Sequence, residues 1–344
     1  MNRQSPVAAR HDAGAHRRAR TLSPWTRIAL QLPDASMCYS SKVAQNIKDL
    51  ARQFSATMDY SEVERLMMER LAGRPIRLAR GFEWNFAKPQ SAEERRIKEL
   101  DDEYRGRKVA ELEQEMFKQK KRLGDAERKL KVKETKAALN DQRVATSKID
   151  ASLERIALLT GTQPHEDDHR IFPLTYAPII LKRNGQNTIT LARYHLRQKG
   201  KPPFTDQKFP GLYNARRDNL DRFWRSEFGH THALMVADSF YENVDREGRN
   251  VVLHFTPRPA YPMLVACLYA EWSDPKEGKL LSFAAVTDEP PPEIKAAGHD
   301  RCIINLRREN VDTWLTPEGR SDDELQGILS DRQTPYYEHE VMAA

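Results

Sequence analysis

From Ser91 to Leu159 the chain holds no proline and is dominated by Glu, Lys, Arg, Ala and Leu, with Leu112, Met116, Leu123, Leu130 and Ala137 recurring at near-heptad spacing. A stretch of this kind forms long helix, and it has too few apolar positions to lie inside a core. It divides the chain: residues 88–160 form an inserted arm, and a compact domain has to be assembled from residues 37–87 and 161–340. Gly124 and Asp125 supply a C-cap followed by an N-cap, which favours a helical hairpin turning there over one continuous rod. A solvated arm that mediates self-association or holds a protein partner is the simplest reading. Direct nucleic-acid contact through Lys118, Lys120 and Lys121 is the alternative.

The flanking segments have a different texture. Asn46 to Leu71 predicts one helix, because Ile47, Leu50, Phe54, Met58, Val63, Leu66, Met67 and Leu71 recur at spacings of three and four, and Gly73 and Pro75 end it. Alternation of Phe82, Trp84 and Phe86 predicts a short strand over Ala79–Phe86. After Gly161 short apolar runs follow one another: Thr188–Leu191, Ala233–Ala237, Val251–Phe255, Met263–Ala270, Leu280–Thr287 and Cys302–Leu306. Without βαβ alternation or a glycine-rich phosphate loop, these predict an α+β domain on a mixed or antiparallel, barrel-like sheet, not a dinucleotide-binding or P-loop fold.

Charge narrows the function classes. The 344 residues carry a net +6, yet residues 1–36 contribute +4 through six arginines against Asp12 and Asp34, and residues 88–160 contribute another +4. The remainder is slightly acidic, so net charge gives no reason for the domain itself to bind nucleic acid. Residues 1–36 lack the amphipathic stretch of a transit peptide and are expected to be a disordered leader, absent from the working protein. Met263–Ala270 is the longest apolar run, far short of a membrane span of about 18 residues. Three cysteines without CxxC spacing (Cys38, Cys267, Cys302) predict neither a disulfide framework nor a zinc knuckle, and fit a reducing cytoplasm.

One motif invites a metal reading. His165-Glu166-Asp167-Asp168-His169 satisfies H-E-x-x-H, but that chemistry needs two imidazoles one turn apart on an α-helix. Here the motif lies between Gly161-Thr162-Gln163-Pro164 and Pro173 with further acidic residues inside it. A polar linker is expected, with no metal and no cofactor.

Four short stretches place reactive side chains beside apolar strands: Met37-Cys38, Asn214-Ala215-Arg216, Phe240-Tyr241-Glu242 and His299-Asp300-Arg301. Together, and in this order, they resemble the SOS response-associated peptidase family, the abasic-site processing proteins. Met37-Cys38-Tyr39 is similar to the family's Met-Cys opening, Asn214-Ala215-Arg216 to its Asn-Ala-Arg, Ala237-Asp238-Ser239-Phe240-Tyr241-Glu242 to its Ala-Asp-Gly-Phe-Tyr-Glu, and His299-Asp300-Arg301 to its His-x-Arg. The resemblance implies a protein of the bacterial or phage cytoplasm, associated with the nucleoid, that crosslinks covalently to abasic sites in single-stranded DNA. It also implies a peptidase activity directed at the protein's own N-terminus and strand-incising lyase activity.

The chemistry behind that implication is simple. Were Met37 the true start and then removed, or were the chain cut before Cys38, residue 38 would present an α-amine and a thiol on neighbouring carbons. The amine, with a pKa near 7.7 to 8.0, attacks the aldehyde of a ring-opened abasic sugar, and the thiol closes a thiazolidine. Glu242 and His299 are the expected proton carriers. By resemblance Asn214 orients Cys38, His299 also assists reversal, Arg216 grips a flanking phosphate, and Arg193 and Tyr194 add a second phosphate contact and a stacking surface. Departures from the family pattern are Tyr39-Ser40 for Gly-Arg, Asn243 for Trp, Tyr194-His195 for Trp-Gly and Cys302-Ile303 for Met-Pro. A cysteine peptidase or amidohydrolase acting on proteins through Cys38 and His299, and a non-catalytic DNA-binding scaffold, are the alternatives.

Overall fold

The computed structural model describes residues 40–44 and 46–342, so the leader, Met37 and Cys38 lie outside the described residues. Its elements are β1 (Ser40–Val43), helices α1 (Ile47–Phe54) and α2 (Tyr60–Leu71), and the long helices α3 (Ala92–Val132) and α4 (Lys136–Thr160). Strands β2 (Thr175–Arg183), β3 (Gln186–Tyr194), β4 (Asn214–Arg216), β5 (His232–Arg246), β6 (Arg249–Arg258), β7 (Met263–Asp274) and β8 (Gly278–Asp288) follow. Helix α5 (Asp322–Ser330) and strand β9 (Tyr336–Val341) complete them.

Five of the strands close on themselves. β5 pairs antiparallel with β7 and β7 with β8, β8 runs parallel to β3, β3 pairs antiparallel with β2, and β2 returns to β5 at Ile180↔Leu234 and Leu181↔Ala233. The result is an α+β fold around a mixed five-stranded barrel. Alternation sorts the side chains: Ala233, Met235, Val265, Cys267, Phe283 and Ala285 fill the interior, while Leu234, Val236, Leu264, Ala266, Ala284 and Val286 join an outer cluster with Leu50, Phe54, Leu66 and Phe82. With both faces buried, β7 reads in sequence as an unbroken apolar run. The far half of β5 leaves the barrel and is flanked by β6, which pairs with β9, and by β1, which pairs Ser40 with Tyr241. No helix among the described residues is long and apolar enough to cross a membrane.

Three local expectations need correction. The single helix over 46–71 is two. Ser55 ends α1 in the left-handed conformation (φ 47°), Thr57–Met58 adds to the edge of β3, and Asp59 starts α2 by accepting the Glu62 N–H. Pairing with the barrel edge outweighs the continuous apolar period. Ala79–Phe86 is a helical turn, not a strand: Phe82 and Phe86, four residues apart, both point into the core with ring centroids 5.5 Å apart. Gly81 packs there against the Asp168 carbonyl and the His169 ring, with no room for a Cβ. The arm is a hairpin, but it turns at residues 133–135, where the Thr135 hydroxyl caps α4, and Gly124 lies inside α3. Packing decided this, because running α3 to Val132 lets Gln119 and Ala126 pack in the hairpin where Ala138, Ala145 and Ser152 of α4 are buried.

The hairpin is antiparallel, with Arg122 bound to Asp141 (2.6 Å) and Lys148 near Glu115 (3.8 Å). At its base Ile97 and Leu100 enter the core, and Asp101 sits in a buried charge cluster with Glu83, Arg70, Arg80 and Arg105. Burial and the Glu83 carboxylate push Asp101 up to about 7, against the pull of the three arginines.

Candidate active site

Glu242 and His299 meet where β5 leaves the barrel. Glu242 follows Tyr241 on β5 and pairs across to Leu253. His299 arrives through a tight turn: Gly298 adopts φ 101°, open to glycine, and the His299 N–H bonds to the Ile294 carbonyl at 3.2 Å. The two side chains, 0% and 1% exposed, approach with Nε2 3.1 Å from Oε2. His299 Nδ1 lies 2.9 Å from the Arg301 carbonyl oxygen, so that nitrogen carries a hydrogen and donates it. Nε2 then faces a Glu242 carboxyl oxygen within ion-pair distance. Burial lowers the pKa of His299 below its ordinary value, opposed by the Arg301 carbonyl. A buried acid and imidazole in contact can give and take a proton within a single site.

Beside them stands the Asn214 strand. β4 runs parallel to β8, with Asn214 opposite Ala285 and Arg216 opposite Thr287, and the short strand Cys302–Ile303 pairs with the same end of β8. Tyr194, inside the barrel, points its hydroxyl at Asn214 Oδ1 (3.5 Å). At the surface Arg216 binds Asp218 through two hydrogen bonds (3.1 and 2.6 Å), and Asp218 is 3.9 Å from Arg301. That shared aspartate joins the Asn-Ala-Arg strand to the His299 turn. It also identifies Arg301 as a second cation of the site, which the sequence reading passed over although it is the third residue of the His-x-Arg motif.

Other expected residues stand elsewhere. Arg193 donates to Asp206 (2.8 Å) and to the His195 carbonyl, and Arg197 binds the same carboxylate (2.5 Å). Tyr194 is 1% exposed and stacks on Phe283 at 5.1 Å. A committed guanidinium and a covered ring offer neither the expected phosphate contact nor a stacking surface; Tyr194 serves the site from beneath, through its hydroxyl. Glu166–His169 is a single 3-10 turn, not the α-helical turn that zinc chemistry needs, and Trp84 donates to Asp168 (2.8 Å). Among the described residues no group of three His, Cys, Asp or Glu is placed to hold a metal.

Two further groups near the site were not expected. Cys302 is buried, and burial together with the Glu242 charge pushes its thiol well up, so it packs and does not react. On the opposite face of β5, His254 contacts Ser239 Oγ (2.7 Å) and Glu340 (3.1 Å) and stacks on Tyr241. The spacing is that of a Ser-His-Glu relay, but Ser239 is 2% exposed, and the relay braces β5, β6 and β9.

Comparison with known proteins places this arrangement. A family model described as SOS response associated peptidase matches residues 136–343. The abasic site processing protein YoaM of Bacillus subtilis is 24% identical over 170 residues, which cover 48% of this chain and 73% of that protein. A solved structure of a protein from Bacteroides thetaiotaomicron is 14% identical with a TM-score of 0.43, covering 50% of this chain and 76% of its own. One from Bordetella bronchiseptica is 18% identical with a TM-score of 0.42, covering 50% and 86%.

Proposed function

This chain belongs to the SOS response associated peptidase family, and we propose that it processes abasic sites in single-stranded DNA by forming a covalent crosslink through Cys38. The observation that carries the reading is the buried contact between Glu242 and His299, 3.1 Å apart. Chain geometry supports it. Ser40 pairs with Tyr241, next to Glu242, and the two residue steps from Ser40 back to Cys38 span at most about 7 Å. The name of the Bacillus subtilis relative points the same way.

In this reading residue 38 becomes N-terminal by removal of what precedes it, through processing of the protein's own chain or initiation at Met37. The amine adds to the open-chain aldehyde of the abasic sugar, and a proton from the Glu242–His299 pair lets the carbinol oxygen leave as water, giving an imine. The thiol adds to the imine carbon, its proton passing to the nitrogen, and the five-membered ring closes with loss of one water overall. Asn214 orients Cys38. Arg216 and Arg301, held at the surface by Asp218, meet the flanking phosphates, and Arg193 and Tyr194 support the site from within the fold. Loss of a proton from the sugar carbon next to the imine would expel the 3′ phosphate, the lyase outcome. Residues 40–87 and 161–340 then act as one domain, into which the arm is inserted.

The test uses protein beginning at Cys38 and a single-stranded oligonucleotide with one abasic site. A covalent, gel-shifted adduct is expected, absent with Cys38→Ala and absent when the N-terminal extension stays attached. A peptidase acting on other proteins would form no adduct, and wild-type protein forming none overturns the reading.

A further inference from the structure

We propose that the distal end of the helical arm is a second DNA contact, which grips the phosphate backbone of duplex DNA away from the Glu242–His299 site. The arm is sharply polarised. Residues 92–116 carry six basic and nine acidic side chains, a net −3, whereas residues 117–148 carry eleven basic and four acidic, a net +7, where the whole chain carries +6. The proximal part neutralises itself through ion pairs such as Lys98–Asp102, Arg107–Glu103 and Lys108–Glu111. That is the signature of a merely solvated helix. The distal part does not. Lys118, Lys120, Lys121, Lys129, Lys131 and Lys133 are exposed, and among the described residues none of the six has an acidic group within 4 Å.

Geometry supplies reach. The core-facing residues Ile97 and Leu100 and the Arg107 contact with the Leu71 carbonyl end the attachment of α3 to the body. From residue 108 to Val132 its main companion is α4, over a projection of about 36 Å. Holding so many unpaired cations at the end of a stiff rod raises their mutual repulsion, and a polyanion relieves it. A duplex, with one charge per about 1.7 Å, fits such a surface better than a single strand, whose binding relies on aromatic platforms. In the distal arm Phe117 is the one aromatic residue. The proposal is independent of Cys38, since it concerns DNA with no aldehyde.

The experiment measures binding of protein beginning at Cys38 to an undamaged duplex across a salt series. The comparison variant replaces the six lysines by glutamine, which keeps helix propensity. About tenfold weaker binding at 0.1 M salt is expected, with the slope of log affinity against log salt falling by about one for each phosphate released. A second variant neutralises the ion-paired proximal cations Arg96, Lys98, Arg107 and Lys108 and is expected to bind as wild type does. Unchanged affinity and slope in the lysine variant overturn the proposal. So does an equal loss in the proximal variant, and so does a lysine variant that loses binding to poly-glutamate while retaining the duplex, which would assign the tip to an acidic protein. Abasic-site crosslinking to a short single strand is measured on the same samples, so failure there is read separately.

Discussion

Glu242 and His299 lie in contact, almost without exposure, and each makes the other tolerable in a buried setting. Removing one partner of such a pair strands the other and costs about 3–5 kcal/mol, so alanine variants confound folding with chemistry. Glu242→Gln keeps the shape and the polarity but cannot carry the exchanged proton. It is expected to leave the thermal midpoint within a few degrees of wild type while slowing adduct formation about 10²-fold or more. A variant that crosslinks at the wild-type rate would remove Glu242 from the mechanism. The motifs that carry Asn214, Glu242 and His299 stand in the sequence by their order, and the structure brings Glu242 and His299 into contact. The role of Arg193 was not legible there, because its partner Asp206 reaches it only once residues 195–209 fold back over β3.

The charge cluster at the foot of the arm gives an element-scale expectation. Asp101 has an ordinary carboxyl pKa of 3.8 when unfolded and is pushed up to about 7 when folded. Between these values the folded protein holds the extra proton, so this group's contribution to stability falls as pH rises from about 4 to 7. Asp101→Asn fixes the uncharged form. Its thermal midpoint relative to wild type is expected to rise from pH 5 to about pH 7 and level off above that; a constant difference would mean that the arginines alone set the charge state. The hairpin also illustrates how sequence and packing divide the work. Composition predicted long helix from Ser91 to Leu159, but the cap signals at Gly124 and Asp125 misplaced the turn. Small residues such as Ala138 and Ala145 determine where two helices can approach, and that depends on the partner helix.

At the scale of the whole molecule, the barrel buries histidines in their neutral form. Burial holds His232 at about 3 and His195 at about 4, well below an ordinary imidazole. Both folded values lie below the unfolded one, so this stability is complete above about pH 6.5 and is lost as pH falls through the folded values. His232 also stacks on Trp314 at 3.9 Å and donates to its carbonyl, so His232→Asn should be less stable than wild type at pH 7. Chemical unfolding at pH 7, 5.5 and 4 is expected to show the gap between the two narrowing with acidity, because only wild type has the imidazole to protonate. A gap that widens would contradict the burial argument.

The sequence by itself determined the helical arm, the barrel-like α+β class and most strands of the barrel, though not Thr175–Arg183; Asn214, Glu242 and His299 it offered as candidates by resemblance. These follow from periodicity and motif order, which local residue choice controls. Only the tertiary structure decided that β2 closes on β5, that Glu242 and His299 meet in a buried contact, that Asp218 couples Arg216 to Arg301, and that Tyr194 is covered. Each of these depends on residues distant in the chain competing for the same buried space, and no local pattern records the outcome of that competition.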